Sequence, residues 1–265
     1  MRFRNLVLTV AALLAASSAG AQQKPLRVDL NIPALRLTVW EGDEIIRSYP
    51  VAVGMPGHDT PTGRFAISHA EWNPWWRPPA RDWAKDDKIT PPGPNNPMGR
   101  VKLFFLPYYF FHGTPEAASI GSPASHGCVR MLNKDVIALS RLLHERAAPQ
   151  VTSATIDRIL ARPGTTRRVD FKQSIPVTIR YDVVTIEDGE LRVYPDIYKY
   201  NSLHTEAVYQ ALMAAGYDIN RVDRDDVVRL VERGRKSKGT LTIKVEEAFG
   251  REVAAAPALL GAPAR

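Results

Sequence analysis

At 265 residues, with 45% hydrophobic and 24% charged side chains, the chain has the balance of a folded globular protein, which excludes a disordered or membrane-embedded one. Its formal charge of +7 is mild, and no Lys/Arg cluster is dense enough for a nucleic-acid reader, so no nucleic-acid partner is expected. A single cysteine, Cys128, excludes an internal disulfide.

Residues 1–21 read as an export leader: Arg2 and Arg4 precede the apolar run Leu6 to Ala16, and Ala19-Gly20-Ala21 offers small residues for cleavage. The run is shorter than the roughly 20 residues of a spanning helix, so no stable membrane insertion is expected after its removal. Losing two arginines lowers the charge to +5. The expected location is the periplasm. A lone thiol sent to an oxidising compartment is either a buried small apolar group or one kept for its reactivity.

From Leu26 to Val53 apolar and polar residues alternate, with Leu35 to Trp40 and Ile45 to Val53 as strands around the turn Glu41-Gly42-Asp43. This predicts an antiparallel meander, then a loop over 54–63 and a strand at Arg64 to Ser68. Between Trp72 and Pro97 the composition shifts to Trp, Pro, Asn and charge, which suits neither a central strand nor a helix interior. We expect a long ordered loop there. It is read either as a functional lid, with Trp72 to Trp83 forming a wall of the substrate cleft and Trp75 and Trp76 as substrate-binding residues, or as a Trp-rich satellite core.

Val101 to Phe111 predicts an aromatic strand pair broken at Pro107, with His112 at its end. Asn133 is positioned to cap a helix bearing Val136, Ile137, Leu139, Leu142 and Leu143 on one side. Thr155 to Ala161 suggests a short helix. Pro176 to Ile186 and Glu190 to Tyr194 alternate around Asp188-Gly189, a hairpin that adds strands to the sheet. Residues 203–215 and 224–233 read as helices and Leu241 to Val245 as a strand. The expected division is a leader (1–21), a β-rich unit (22–200), a C-terminal helical extension (201–253) and a flexible tail (254–265). The fold class is mainly β with α, built on mixed sheets.

The chemistry concentrates in Phe111-His112-Gly113-Thr114 and Ser125-His126-Gly127-Cys128-Val129-Arg130. A thiol with a pKa near 8.5 is only a few per cent thiolate at neutral pH, so a working cysteine needs an imidazole or positive dipoles beside it. The amides of Gly127 and Cys128 are placed to donate to the oxygen of a tetrahedral intermediate. Spacing alone leaves either His112 or His126 as the base. A zinc site of His112, His126 and Cys128 has unfamiliar spacing and no convincing carboxylate base nearby.

These segments resemble the active-site motif of the YkuD-type L,D-transpeptidases, in which a histidine precedes an S-H-G-C run by a short glycine-rich loop. The resemblance extends upstream to Thr60-Pro61-Thr62-Gly63-Arg64-Phe65 and to Pro92-Gly93-Pro94 with Asn96-Pro97-Met98-Gly99, where Met98 replaces the usual leucine. It covers Leu26 to Tyr200.

The resemblance implies Cys128 as nucleophile, His112 as base and the Gly113 carbonyl as the group orienting the imidazole. Ser125, His126 and Gly127 then shape the pocket, and Arg130 holds a substrate carboxylate. It implies neither cofactor nor metal. The reaction it implies is acyl transfer on peptidoglycan tetrapeptide stems through a thioester, making 3→3 crosslinks or attaching a wall-anchored lipoprotein. Hydrolysis by the same thioester, as a carboxypeptidase or amidase, is the alternative within this chemistry. A catalytically silent wall-binding protein is the alternative outside it.

Overall fold

The computed structural model describes residues 24–254; the leader read at 1–21 and the tail from 255 onward lie outside the described residues. Among these residues no helix is long and apolar enough to cross a membrane.

The meander is present. β1 (Leu26–Asn31), β2 (Arg36–Glu41) and β3 (Glu44–Pro50) pair antiparallel in sequence order. Leu26, Val28 and Leu30 alternate inward from β1, as a period of two demands. β4 (Val53–Gly54) is a two-residue strand, and β5 (Gly63–Trp72) runs four residues beyond the expected end, so that Trp72 is a fully buried strand residue rather than part of the loop. Its indole Nε1 donates to His144 Nε2 at 3.3 Å.

β6 (Val101–Leu106) and β7 (Tyr109–Thr114) form the aromatic pair, β8 (Pro123–Ser125) pairs with β4, and β9 (Val129–Leu132) leads into α1 (Asn133–Ala147). His112 sits inside β7 rather than at its end, because Gly113 and Thr114 continue the ladder with Met131 and Leu132. Asn133 does not cap α1. Its Oδ1 accepts from Arg100 N at 2.9 Å and its Nδ2 donates to Thr114 O, so the side chain ties strand ends together. Val136, Leu139 and Leu143 of α1 are buried against the sheet, while Ile137 and Leu142 lie at its margin.

After α2 (Ser153–Leu160) comes the long β10 (Arg167–Arg180), which completes an eight-stranded sheet in the order β3-β2-β1-β10-β5-β6-β7-β9. The β1/β10 and β7/β9 pairs are parallel and the rest antiparallel, a mixed sheet. Leu30, Leu103, Phe111, Met131 and Leu139 belong to its single core.

The expected Pro176 to Ile186 strand is split. Its first half is the end of β10; the chain then turns out of the sheet, held by paired hydrogen bonds between the Asn31 amide and the main chain of Asp182. β11 (Val184–Glu187) and β12 (Glu190–Val193) form the Asp188-Gly189 hairpin, both turn residues having positive φ (52° and 76°) as a type I′ turn requires.

This hairpin does not join the large sheet, contrary to expectation. It pairs instead with β13 (Leu241–Lys244) and packs with α3 (Thr205–Ala214), α4 (Arg224–Lys236) and α5 (Val245–Phe249) around Val184, Leu191, Val208, Leu212 and Val227. The short α6 (Arg251–Ala254) ends the described chain. An Arg36–Glu187 ion pair links the two sheets.

Candidate active site

Cys128 stands at the mouth of β9, on a turn that local chemistry holds tightly. Ser125 Oγ donates to the Cys128 carbonyl and accepts the Gly127 N–H at 3.1 Å. Gly127 has φ +106°, and a Cβ there would lie 2.7 Å from the Tyr109 ring, so the position requires glycine twice over. The expected pair of oxyanion donors is thereby halved: the Gly127 amide is engaged by Ser125. Among the described residues the Cys128 amide has no such partner.

The β7/β9 register sets His112 opposite Arg130, two residues beyond Cys128. His112 is 2% exposed, and its Nδ1 lies 2.7 Å from the Gly113 carbonyl. A carbonyl only accepts, so Nδ1 carries the proton and Nε2 keeps its lone pair.

The sulfur bonds to neither imidazole. It donates to the Tyr108 carbonyl at 3.4 Å, presented by a residue with φ 68°. Cys128 keeps some solvent access, yet its dense surroundings push the thiol up to about 11, against the Phe110 main-chain hydrogen bond and the charges of Lys102 and Arg130. Burial likewise lowers His112 to about 3, outweighing the Gly113 hydrogen bond. Both groups are therefore neutral at pH 7.

His126 lies apart from the sulfur's hydrogen bonds. Trp83 stacks on it with centroids 3.9 Å apart and planes 6° from parallel, and His58 meets it edge-on at 4.7 Å. Burial holds its pKa down, helped by the charges of His58 and Arg130. Trp76 lies behind Trp83 at 6.3 Å, whereas Trp75 is 38% exposed with Arg77 over its ring. Arg130 is paired with Glu116 at 2.9 Å, so a substrate carboxylate would have to compete for it. Among the described residues no group of three or more His, Cys, Asp or Glu side chains is arranged to hold a metal ion.

The family model of the YkuD L,D-transpeptidase catalytic domain matches residues 25–169, more than half of the chain and all of the elements just described around Cys128. The chain belongs to the L,D-transpeptidase family. It is 33% identical over 135 residues to the Bacillus subtilis protein named "Putative L,D-transpeptidase YkuD", a match covering 51% of this chain and 67% of that one. It is 32% identical over 116 residues to "Probable L,D-transpeptidase ErfK/SrfK" of Salmonella typhimurium, covering 40% and 38%. The chain thus spans two thirds of the first relative and well under half of the second. A solved L,D-transpeptidase from Mycobacterium smegmatis shares 15% identity over 59% of each chain with a TM-score of 0.37, a likeness too loose to carry site detail.

Within this L,D-transpeptidase domain, sequence reasoning missed two residues beside the motif, Lys102 and His58, and did not single out a third. Trp83 faces His126, although composition singled out its neighbours Trp75 and Trp76; three indoles in one loop give no local sign of which is turned inward. Lys102 is directly across the β6/β7 ladder from His112, 9% exposed and paired with Glu71 at 3.2 Å. Inward-facing charge in an aromatic strand was the available signal. His58 stands in the 54–63 loop just ahead of the Thr60-Pro61-Thr62-Gly63 run and carries no motif of its own.

Proposed function

We propose that the protein is an exported L,D-transpeptidase that acts on peptidoglycan stem peptides from the periplasm. The observation carrying this reading is the β7/β9 ladder, which brings His112, its Nδ1 fixed on the Gly113 carbonyl, onto the strand adjoining the one that Cys128 opens. Sγ attacks the carbonyl carbon of the third stem residue while the thiol proton passes to His112 Nε2. The C–S bond forms, the C–N bond breaks, and D-alanine leaves with the proton from His112. An acceptor amine then forms the new C–N bond and returns the thiol. The acceptor is a neighbouring stem, giving a 3→3 crosslink, or a lipoprotein.

Supplying purified protein with tetrapeptide muropeptides is expected to yield a crosslinked dimer, and Cys128→Ala none, read by mass spectrometry. Accumulation of tripeptide alone would make the enzyme a hydrolase with the same nucleophile. No covalent adduct on Cys128 with a thiol-reactive carbapenem would leave a silent wall-binding protein.

The cleft wall is a proposal of its own. The stack of Trp76, Trp83 and His126 favours Trp83 as the indole nearest the substrate, in place of Trp75. Trp83→Ala is expected to raise KM by about fivefold, the value of a lost aromatic contact of roughly 1 kcal/mol. Trp75→Ala stays within about twofold. The reverse order, in steady-state kinetics, would put the wall elsewhere.

A further inference from the structure

We infer that Thr60 is a positioning residue that aims the oxyanion donor of the acyl-transfer step. The inference rests on the function proposed above and on the geometry of one peptide bond. The Gly127 carbonyl and the Cys128 N–H belong to the same planar unit, and no peptide bond among the described residues is cis. The two groups must therefore point in opposite directions. Whatever holds the carbonyl determines where the N–H is directed.

The holder is Thr60. Its Oγ1 lies 3.0 Å from the Gly127 oxygen and 2.9 Å from the Gly54 nitrogen. A main-chain N–H can only donate, so Oγ1 accepts from Gly54 and its single proton goes to the Gly127 carbonyl. Thr60 is itself fixed: it is 2% exposed, and its N–H donates to Tyr198 Oη at 3.1 Å. Tyr198 in turn stacks on Tyr181 with centroids 5.3 Å apart, and its main-chain N–H donates to Tyr181 Oη at 2.8 Å. The turn is thus gripped from two sides. Ser125 takes the Gly127 N–H, and Thr60 takes the Gly127 carbonyl. The Cys128 N–H, opposed to the held carbonyl and without a partner among the described residues, is the donor that remains for a substrate oxygen.

Donors aimed before the reaction need no reorganisation in the transition state, which is the source of their rate effect. A peptide unit free to rotate loses that advantage even with every donor atom present. The hydroxyl of Thr60 is what prevents the rotation, and Tyr198 keeps the hydroxyl in register.

The test compares two reactions of the same sulfur in the full chain. Acylation by a carbapenem passes through a tetrahedral oxyanion; alkylation by iodoacetamide forms a C–S bond as iodide leaves and makes no oxyanion. Thr60→Val is expected to slow acylation by about 10²-fold while alkylation stays within about twofold, and Thr60→Ser to restore most of the acylation rate. Should the valine variant not fold, Tyr198→Phe loosens the Thr60 main chain and is expected to lower the acylation-to-alkylation ratio severalfold. Equal losses in both reactions, or an unchanged ratio in the variant that folds, overturn the assignment of Thr60 alone. A wild-type chain that alkylates at Cys128 but never acylates overturns the acyl-transfer reading, and this inference with it.

Discussion

Replacing His112 by glutamine is expected to lower the acylation rate at pH 7 by about 10² to 10⁴, the usual contribution of a positioned general base. Glutamine can offer an oxygen to the thiol but cannot take its proton. The requirement for a base is acute here because the thiol is held up to about 11 and donates to the Tyr108 carbonyl at rest. Spontaneous thiolate at neutral pH is thus scarcer than for a free cysteine.

The imidazole, lowered to about 3 by burial, stays neutral and ready to accept over the whole neutral range. The wild-type rate constant for acylation should therefore show no inflection near 6.5 and fall only as pH drops toward 3. In His112→Gln the rate should instead climb tenfold per pH unit, following the thiolate. An inflection near 6.5 in the wild type would mean an imidazole that titrates as it does in water, and a pH-independent variant would mean that thiol ionisation does not limit acylation. The same burial affects stability. Because the folded pKa of His112 is lowered, the unfolded chain binds more protons between about 6.5 and 3, and stability is lost as pH falls through that window.

What could be read from the residues was local. Alternation reported β2 and β3, an apolar and aromatic run reported β6 and β7, and the S-H-G-C run is contiguous. Partners distant in the chain were not readable. β1 pairs with β10, whose residues come some 150 positions later, and nothing in Val28 specifies Val177. The alternation from Pro176 to Ile186 slips by one residue at Val183-Val184, the only local mark that the chain changes sheets there, and a single strand was read across it because both cores ask for the same period.

Polar side chains were the hardest. Asn133 has the residue type of a cap, but the close approach of Arg100 and Thr114 gives its amide better partners. Ser125 was read as pocket lining, whereas its hydroxyl holds the turn and occupies the Gly127 amide that was expected to face the substrate. The sulfur's contact with Tyr108 depends on a main-chain carbonyl, which no side-chain pattern reports.

The Trp/Pro-rich loop supplies the second large expected effect. Asn96 is fully buried, with Nδ2 within 3.1 Å of the carbonyl oxygens of Pro74, Thr90 and Pro91 and Oδ1 accepting from Met98 N at 2.8 Å. A stretch this rich in proline is poor in main-chain donors, so its buried carbonyls need a side-chain amide. Asn96→Ala should cost about 3 kcal/mol, since several buried groups lose their partner at roughly 1–3 kcal/mol each without full additivity.

Asn96→Asp is the sharper variant. It keeps the shape but sets a carboxylate among three carbonyl oxygens, which raises its pKa in the folded state above the unfolded value near 3.9. The folded chain then binds more protons, and stability falls as pH rises through that interval. Urea midpoints should therefore place the aspartate variant below the alanine one at pH 7 and bring it closer at pH 5. A midpoint unmoved by Asn96→Ala would show that the loop carrying Trp76 and Trp83 is held against the sheet by some other contact. Asn73, which donates to the carbonyls of Ile159, Arg162 and Thr165 at the loop's opposite end, would then be the residue to replace.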